Sequence, residues 1–540
     1  MTPTPDPRRT VLRGGYVHSP AGPHATALCV EDGVVVWVGD DDASAHFVDN
    51  ADRVVELDGR LVTPAFVDAH VHLAQTGLAM GGVDLTGAPT REAALAAVGA
   101  AARRPDFPIV LGFGWDETTW PDRRAFTREE LDRATGSRPT YLARVDEHCA
   151  AVNTAFLDAA DGIATADGFD PCGLVTREAH HRARDITFRI VPRSHREDAI
   201  QAALRQAAVQ GVGMVHELGA PHLSLPTDLD TCRELTARTV LPEVIGYWGE
   251  LDGVETAREL GCAGAAGDLC VDGSIGSRTS AVHAPYVDAD TVGHLYLDAA
   301  QVARHVIACT RAGLQAGFHV IGDRGVAEVV AGFCQAAEQV GKAAVVAGRH
   351  RLEHLEMVSA DQIRLLAELG VVASVQPMFD HLWGGADSLY AQRLGADRAL
   401  PMNPYASFGR HGLTLAFGSD TPVTRFDPWG AVRAAAWHRN PQERITVRAA
   451  FSAHTRGGWR AAGRDEGGVL APGAPACLAV WDVPGELVVQ TPDERVAAWS
   501  TDPRAGVPHL PDLHPDLALP SCVLTMVHGA VAFEETGALT

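Results

Sequence analysis

Lysine is almost missing from this chain. Lys342 is the only one, and arginine carries the rest of the positive charge. Basic residues as a whole are outnumbered, 45 Lys+Arg against 68 Asp+Glu, for a formal net charge of −23. That balance excludes a broad basic face for nucleic acid, while leaving open the sign of an enclosed pocket. No apolar run reaches the roughly eighteen residues of a membrane-spanning helix. Met1–Arg13 has prolines and charges where a secretory signal has an apolar stretch, so a cytoplasmic location is the default expectation. The ten cysteines form no CxxC pair and have no regular spacing. They read as reduced, mostly buried small residues rather than a disulfide framework or a thiolate zinc module.

What is present points to a large globular protein. The 540 residues, 46% of them hydrophobic, exceed one small core and favour a barrel with additional domains. The apolar run Leu61–Val67 leads through Asp68 to His70 and His72. Residues two apart on a strand point the same way, so both imidazoles can reach one cation from a rigid strand end. Among 24 histidines such a pair is weak by itself. Further candidates follow apolar stretches in turn: His319 in Gly317–Asp323, His354 in Arg351–His354, and Asp420 in Leu413–Pro422. Ligands at the ends of successive short strands are the arrangement of a (β/α)8 barrel, whose sites collect at the C-terminal ends of its strands.

Strand-like segments at both ends of the chain indicate a small composite β-sandwich, residues 1–60 with 463–540. At the N-terminal end these are Ala27–Val30, the hairpin signal Glu31-Asp32-Gly33 and Val34–Gly39; at the C-terminal end, Leu478–Trp481 and Val523–Val527. The barrel is expected over 61–462, including an insertion over its mouth at 73–204, because so long a segment is improbable as bare loop. Helices are expected at Ala202–Gln210, Ala299–Ala312 and Ala360–Leu369.

The ordered set of His-X-His, His, His and Asp resembles the amidohydrolase superfamily. The phrases Gly112–Asp116 with Trp120, and Arg144–His148 with Asn153, resemble its branch that includes N-substituted formamide deformylases. The resemblance implies a (β/α)8 barrel and a divalent metal, zinc first, held by His70, His72, His319 and Asp420, with His354 as a ligand or as an acid/base beside it. It implies hydrolysis of a non-peptide carbon–nitrogen bond in a linear amide or N-acyl or N-formyl small molecule. Metal-bound hydroxide would attack, and Asp420 would pass the proton to the leaving nitrogen. Many relatives carry a carboxylated lysine, bridging two metals, four residues before the position of Asp272. Here that position is Asp268, and Lys342 lies in another segment. Either Asp268 bridges two ions or the site holds one. Its short side chain favours one, since bridging would need a shift of several ångströms, and a solvent-facing turn residue is a further reading.

His148, His216 near the end of the third strand, and Gln376 are candidate pocket residues. Asp272 and Arg278 read as a site pair or a buried ion pair, and Asp323 as a residue orienting a ligand histidine or capping a helix. The expected partner is a small molecule, without nucleic acid or membrane, and homo-oligomerisation is left open. The rival readings are a heterocycle deaminase and a catalytically silent metal-binding regulator.

Overall fold

In the computed structural model, residues 8–104, 107–491, 498–500 and 507–539 are described. Numbering the barrel strands alone, they are β1 (Phe66–Val71), β2 (Val212–Gly219), β3 (Glu243–Trp248), β4 (Gly264–Ala265), β5 (Gln315–Val320), β6 (Arg351–His354), β7 (Val372–Val375) and β8 (Thr414–Phe417). They lie side by side in this order, each parallel to the next. Past the strand ends, Asp420 N–H donates to the His70 carbonyl (2.8 Å) and His72 N–H to the Thr421 carbonyl (3.1 Å), bringing β8 round to β1 in a nearly closed barrel. β1, β2, β5, β6 and β7 are buried at every position, as parallel strands covered on both faces must be.

The helices start and stop where local chemistry dictates. Ala299–Ala312 is capped by Asp298, which accepts from Gln301 N–H (2.9 Å) while Gln301 Oε1 accepts from Asp298 N–H (3.0 Å). The third expected helix runs over Ala360–Glu368. The segment expected to be helical from Ala202 is the end of a longer helix, Arg193–Val209, whose polar first turns hide its start. Helix Leu73–Gly81 follows β1 directly, and beyond it Val83–Asp84, Val110–Trp115, Thr140–Arg144, Cys149–Val152 and Leu174–Thr176 form a sheet of their own. Helix Arg177–Ile190 then leads back towards the barrel.

Strands from both ends of the chain share one sheet, in the order Tyr16–Val17, Leu61–Pro64, Leu478–Asp482, Ser521–Val527, Ala530–Glu534. Its apolar face, with Val62, Leu478, Val480 and Leu524, shares a core with Leu12, Leu28 and Val55 of a four-stranded N-terminal sheet. Among the described residues no helix is long and apolar enough to cross a membrane.

Candidate metal centre

β1 carries Asp68 and His70 on one side, and His72 lies just beyond its end. Asp68 accepts from Ser419 N–H (2.8 Å) and His70 N–H (3.3 Å), tying β1 to the loop after β8. Gly418 permits this approach, since a Cβ there would lie 2.6 Å from His70 N. Asp420 follows in a left-handed conformation (φ 56°). Its Oδ1 lies 3.2 Å from both His70 Nε2 and His72 Nε2. Asp268 faces the same two nitrogens, Oδ1 at 3.5 Å from His70 and Oδ2 at 3.2 Å from His72.

A buried network orients these groups. Glu353 Oε2 accepts from His70 Nδ1 (2.9 Å) and is itself held by Arg351, whose Nε donates to Oε1 (2.5 Å) and Nη2 to Oε2 (3.1 Å). A carboxylate only accepts, so the ring proton sits on Nδ1 and Nε2 faces the centre. On β6, Arg351 and Glu353 share a face by strand alternation; positive φ at His354 (68°) and Leu355 (48°) breaks it and lets His354 join the same centre. His354 Nδ1 donates to Gln376 Oε1 (2.8 Å), leaving Nε2 free.

The electrostatics demand positive charge here. Burial disfavours a charged imidazole, yet Asp420 and Asp268 outweigh it, holding His70 well above its ordinary pKa and His72 at about 9. Burial alone would raise the two carboxyls, but the imidazoles, His70 foremost, hold both well below the carboxylate range. His70 Nε2, Asp268 Oδ1, His354 Nε2 and both ring nitrogens of His319 are buried without a hydrogen-bond partner. Ligand atoms of His70, His72 and Asp420 lie within 4.8 Å of one another, as do those of His70, Asp268 and His354. Two convergent sets of imidazole and carboxylate donors, sharing His70, suit a divalent cation.

Several sequence expectations change. Asp268 lies against both His70 and His72 without the shift of several ångströms expected for bridging from so short a side chain, and its reading as a solvent-facing turn is overturned. β4 is only two residues long, and Gly267 at φ 97° turns the chain so that Asp268 is buried against both histidines. His319 joins neither three-donor set; its ring packs edge-on against His354, centroids 4.4 Å apart. His148 lines the pocket and stands 5.0 Å from the His319 ring. His216 does not line it: it belongs to β2, not a third strand, and is wholly buried with Nδ1 accepting from Arg351 (2.9 Å). Gln376 also lies off the pocket wall and acts on His354 instead. Asp272 and Arg278 are not a pair. Asp272 accepts the backbone N–H groups of Ala281, Ile321 and Gly322, and Arg278 binds Asp288. Asp323 accepts from His283 N–H (2.9 Å) rather than orienting His319.

Arg351 and Glu353 were legible only as part of the segment before His354. Opposite charges two apart on a short strand, with Leu352 between them and His354 at its end, are the signal that marks them.

The model of the Amidohydrolase family matches residues 53–533. The chain belongs to the amidohydrolase family. This amidohydrolase is 27% identical over 509 residues to Protein LONG AFTER FAR-RED 3 of Arabidopsis thaliana, covering 85% of each chain. It is 22% identical over 495 residues to the N-substituted formamide deformylase of Arthrobacter pascens, covering 85% of this chain and 90% of that one. A solved structure described as an uncharacterized metal-dependent hydrolase from Pyrococcus furiosus is similar with TM-score 0.69 at 25% identity, over 87% of this chain and 98% of the other.

Proposed function

We propose that this amidohydrolase cleaves a non-peptide carbon–nitrogen bond in a small linear amide or N-acyl compound. One divalent cation, zinc in our reading, is held by His70, His72, Asp420 and Asp268. The observation that carries this is the convergence of His and Asp ligand atoms at the C-terminal ends of β1, β4, β6 and β8, with His70 Nε2, Asp268 Oδ1 and His354 Nε2 left without a hydrogen-bond partner. The ion supplies Lewis acidity for a carbonyl and for water. One ion is preferred because the two donor sets share His70, the Asp268 oxygens lie 3.5 Å from His70 and 3.2 Å from His72, and His319 joins neither set.

Asp420 sits at the wall of the pocket, where it can take a proton from attacking water and deliver it to the leaving nitrogen. An amine leaves readily only once protonated, which makes that delivery necessary. His354, oriented by Gln376, points a free Nε2 at the same place and can hold water or substrate. Ile275, Phe379, Trp383, Leu389 and Val423 line one side of the pocket, and Phe379 stacks on His354 (5.8 Å, 8°). This wall suits an apolar acyl group or N-substituent. Asp146, His148 and Glu356 supply the polar side.

The test is turnover of formamides, N-acyl amines and esters by metal-stripped protein reconstituted with zinc, manganese or iron. The proposal expects equal release of carboxylate and amine from an acyl amide, dependent on metal. Ammonia release from aminopurines or cytosine with inert acyl amides would overturn it in favour of deamination. No turnover by wild type and Asp420→Asn alike would overturn it in favour of a silent binding protein.

A further inference from the structure

A second group of metal-binding side chains takes no part in this chemistry. His181 lies on helix Arg177–Ile190, His222 in the loop after β2, and Cys270 in the loop after β4. One ligand atom from each lies within 4.8 Å of the other two. The imidazole rings of His181 and His222 stand 4.2 Å apart at 30°, and Cys270 Sγ is 3.9 Å from His222 Nε2. Cys270 is buried while both histidines are half-buried, so an ion can enter past the rings to a shielded sulfur.

We propose that His181, His222 and Cys270 form a second metal site, for zinc or a related borderline transition ion. Two imidazoles and a thiolate match the donor preference of such ions and not that of magnesium or calcium. Three protein ligands leave a fourth position for water. The arrangement is specific to Cys270. Cys309 also touches a histidine, His305 at 3.5 Å, but that Nε2 lies 2.9 Å from the Ala265 carbonyl and, among the described residues, no third donor completes a set. Arg184 donates to the carbonyls of His222 and Glu147 and so places its positive charge beside the site, while burial holds the proton on the Cys270 thiol and a bound ion has to displace it.

The three ligands come from three segments, so a bound ion pins helix Arg177–Ile190 to the barrel loops after β2 and β4. It also acts on the end of β4, because Cys270 follows Asp268 by two residues and its Sγ lies 3.5 Å from the Asp268 carbonyl. The site stands whether or not the proposed hydrolysis is correct, because its signature is spectroscopic.

The experiment is Co(II) titration of the metal-stripped full chain, followed in the near ultraviolet. The His70 centre contains no sulfur, so a thiolate-to-cobalt charge-transfer band cannot come from it, and Cys270→Ser separates Cys270 from the other free cysteines. The expected result is a band that saturates once about two equivalents of cobalt are bound in wild type, one for each centre, and with about one in His70→Ala/His72→Ala. It survives His70→Ala/His72→Ala, disappears in Cys270→Ser, and needs roughly ten-fold more cobalt in His222→Gln. Absence of the band from wild type overturns the proposal, as does its persistence in Cys270→Ser. Should Cys270→Ser fail to fold, an unchanged titration of His222→Gln overturns it equally.

Discussion

The Nδ1 of His70 donates to Glu353 Oε2 across 2.9 Å, deep in the barrel, and this bond decides which nitrogen His70 turns to the centre. Arg351 holds the other side of Glu353, and all three side chains are fully buried. Replacing Glu353 by Gln keeps the shape but loses the charge that fixes the ring proton. Affinity for zinc is expected to fall about 10–100-fold, measured by competition with a chelator. Glu353→Ala also strands the buried Arg351 and is expected to cost about 3–5 kcal/mol in denaturant unfolding.

In the proposed reaction Asp420 serves both as a cation neighbour and as the proton carrier. In Asp420→Asn, kcat on an acyl amide should drop about 10²–10⁴-fold. Elemental analysis at saturating zinc should still find the ion, since His70, His72 and Asp268 remain. Loss of the ion together with activity would assign Asp420 a ligand role only.

Two glutamates near the centre give opposite pH dependences. Burial lifts the Glu356 carboxyl from 4.5 to about 7. Its contribution is full below about pH 4.5 and is lost as pH rises through 7. For Glu353 burial also disfavours the charge, but Arg351 and His70 outweigh it and hold the carboxyl at about 2. That contribution is present above about pH 4.5 and is lost as pH falls towards 2. Thermal melting from about pH 4 to about pH 9 should show wild type losing stability mainly between about pH 4.5 and about pH 7, and Glu356→Gln a flatter profile over that range. An equally steep decline in the variant would remove Glu356 as the cause.

Trp383 packs against Phe379 with ring centroids 5.0 Å apart and forms part of the apolar wall. Trp383→Ala is expected to raise KM about ten-fold for amides with a bulky apolar substituent and to leave kcat nearly unchanged. Steady-state kinetics on a matched pair, one bulky and one small, separates this from general damage, which would affect both.

The barrel and the order in which its strand ends present His and Asp were legible because each of these residues follows a short apolar run, and that pattern survives in one dimension. Helix Ala299–Ala312 was legible for the same kind of local reason, its cap residues being neighbours in sequence. The reach of Asp268 was not, because it depends on how short β4 is and on a left-handed Gly267, features that side-chain length alone cannot reveal. Nor was the place of His216. It alternates into the barrel interior, where Arg351, 135 positions away, takes its nitrogen. Asp272 and Arg278 look paired in sequence, yet the first is claimed by three backbone N–H groups and the second by Asp288. These partners are long-range and leave no local pattern.

The central claim is that His70, His72, Asp420 and Asp268 together hold one divalent cation. Anomalous diffraction at the zinc edge from crystals of the zinc-loaded protein addresses it directly. Expected is one peak at this centre, about 2.0–2.2 Å from His70 Nε2, His72 Nε2 and an oxygen of Asp420. A centre without a peak, or one with two peaks bridged by Asp268 and bound by His319, would contradict the account.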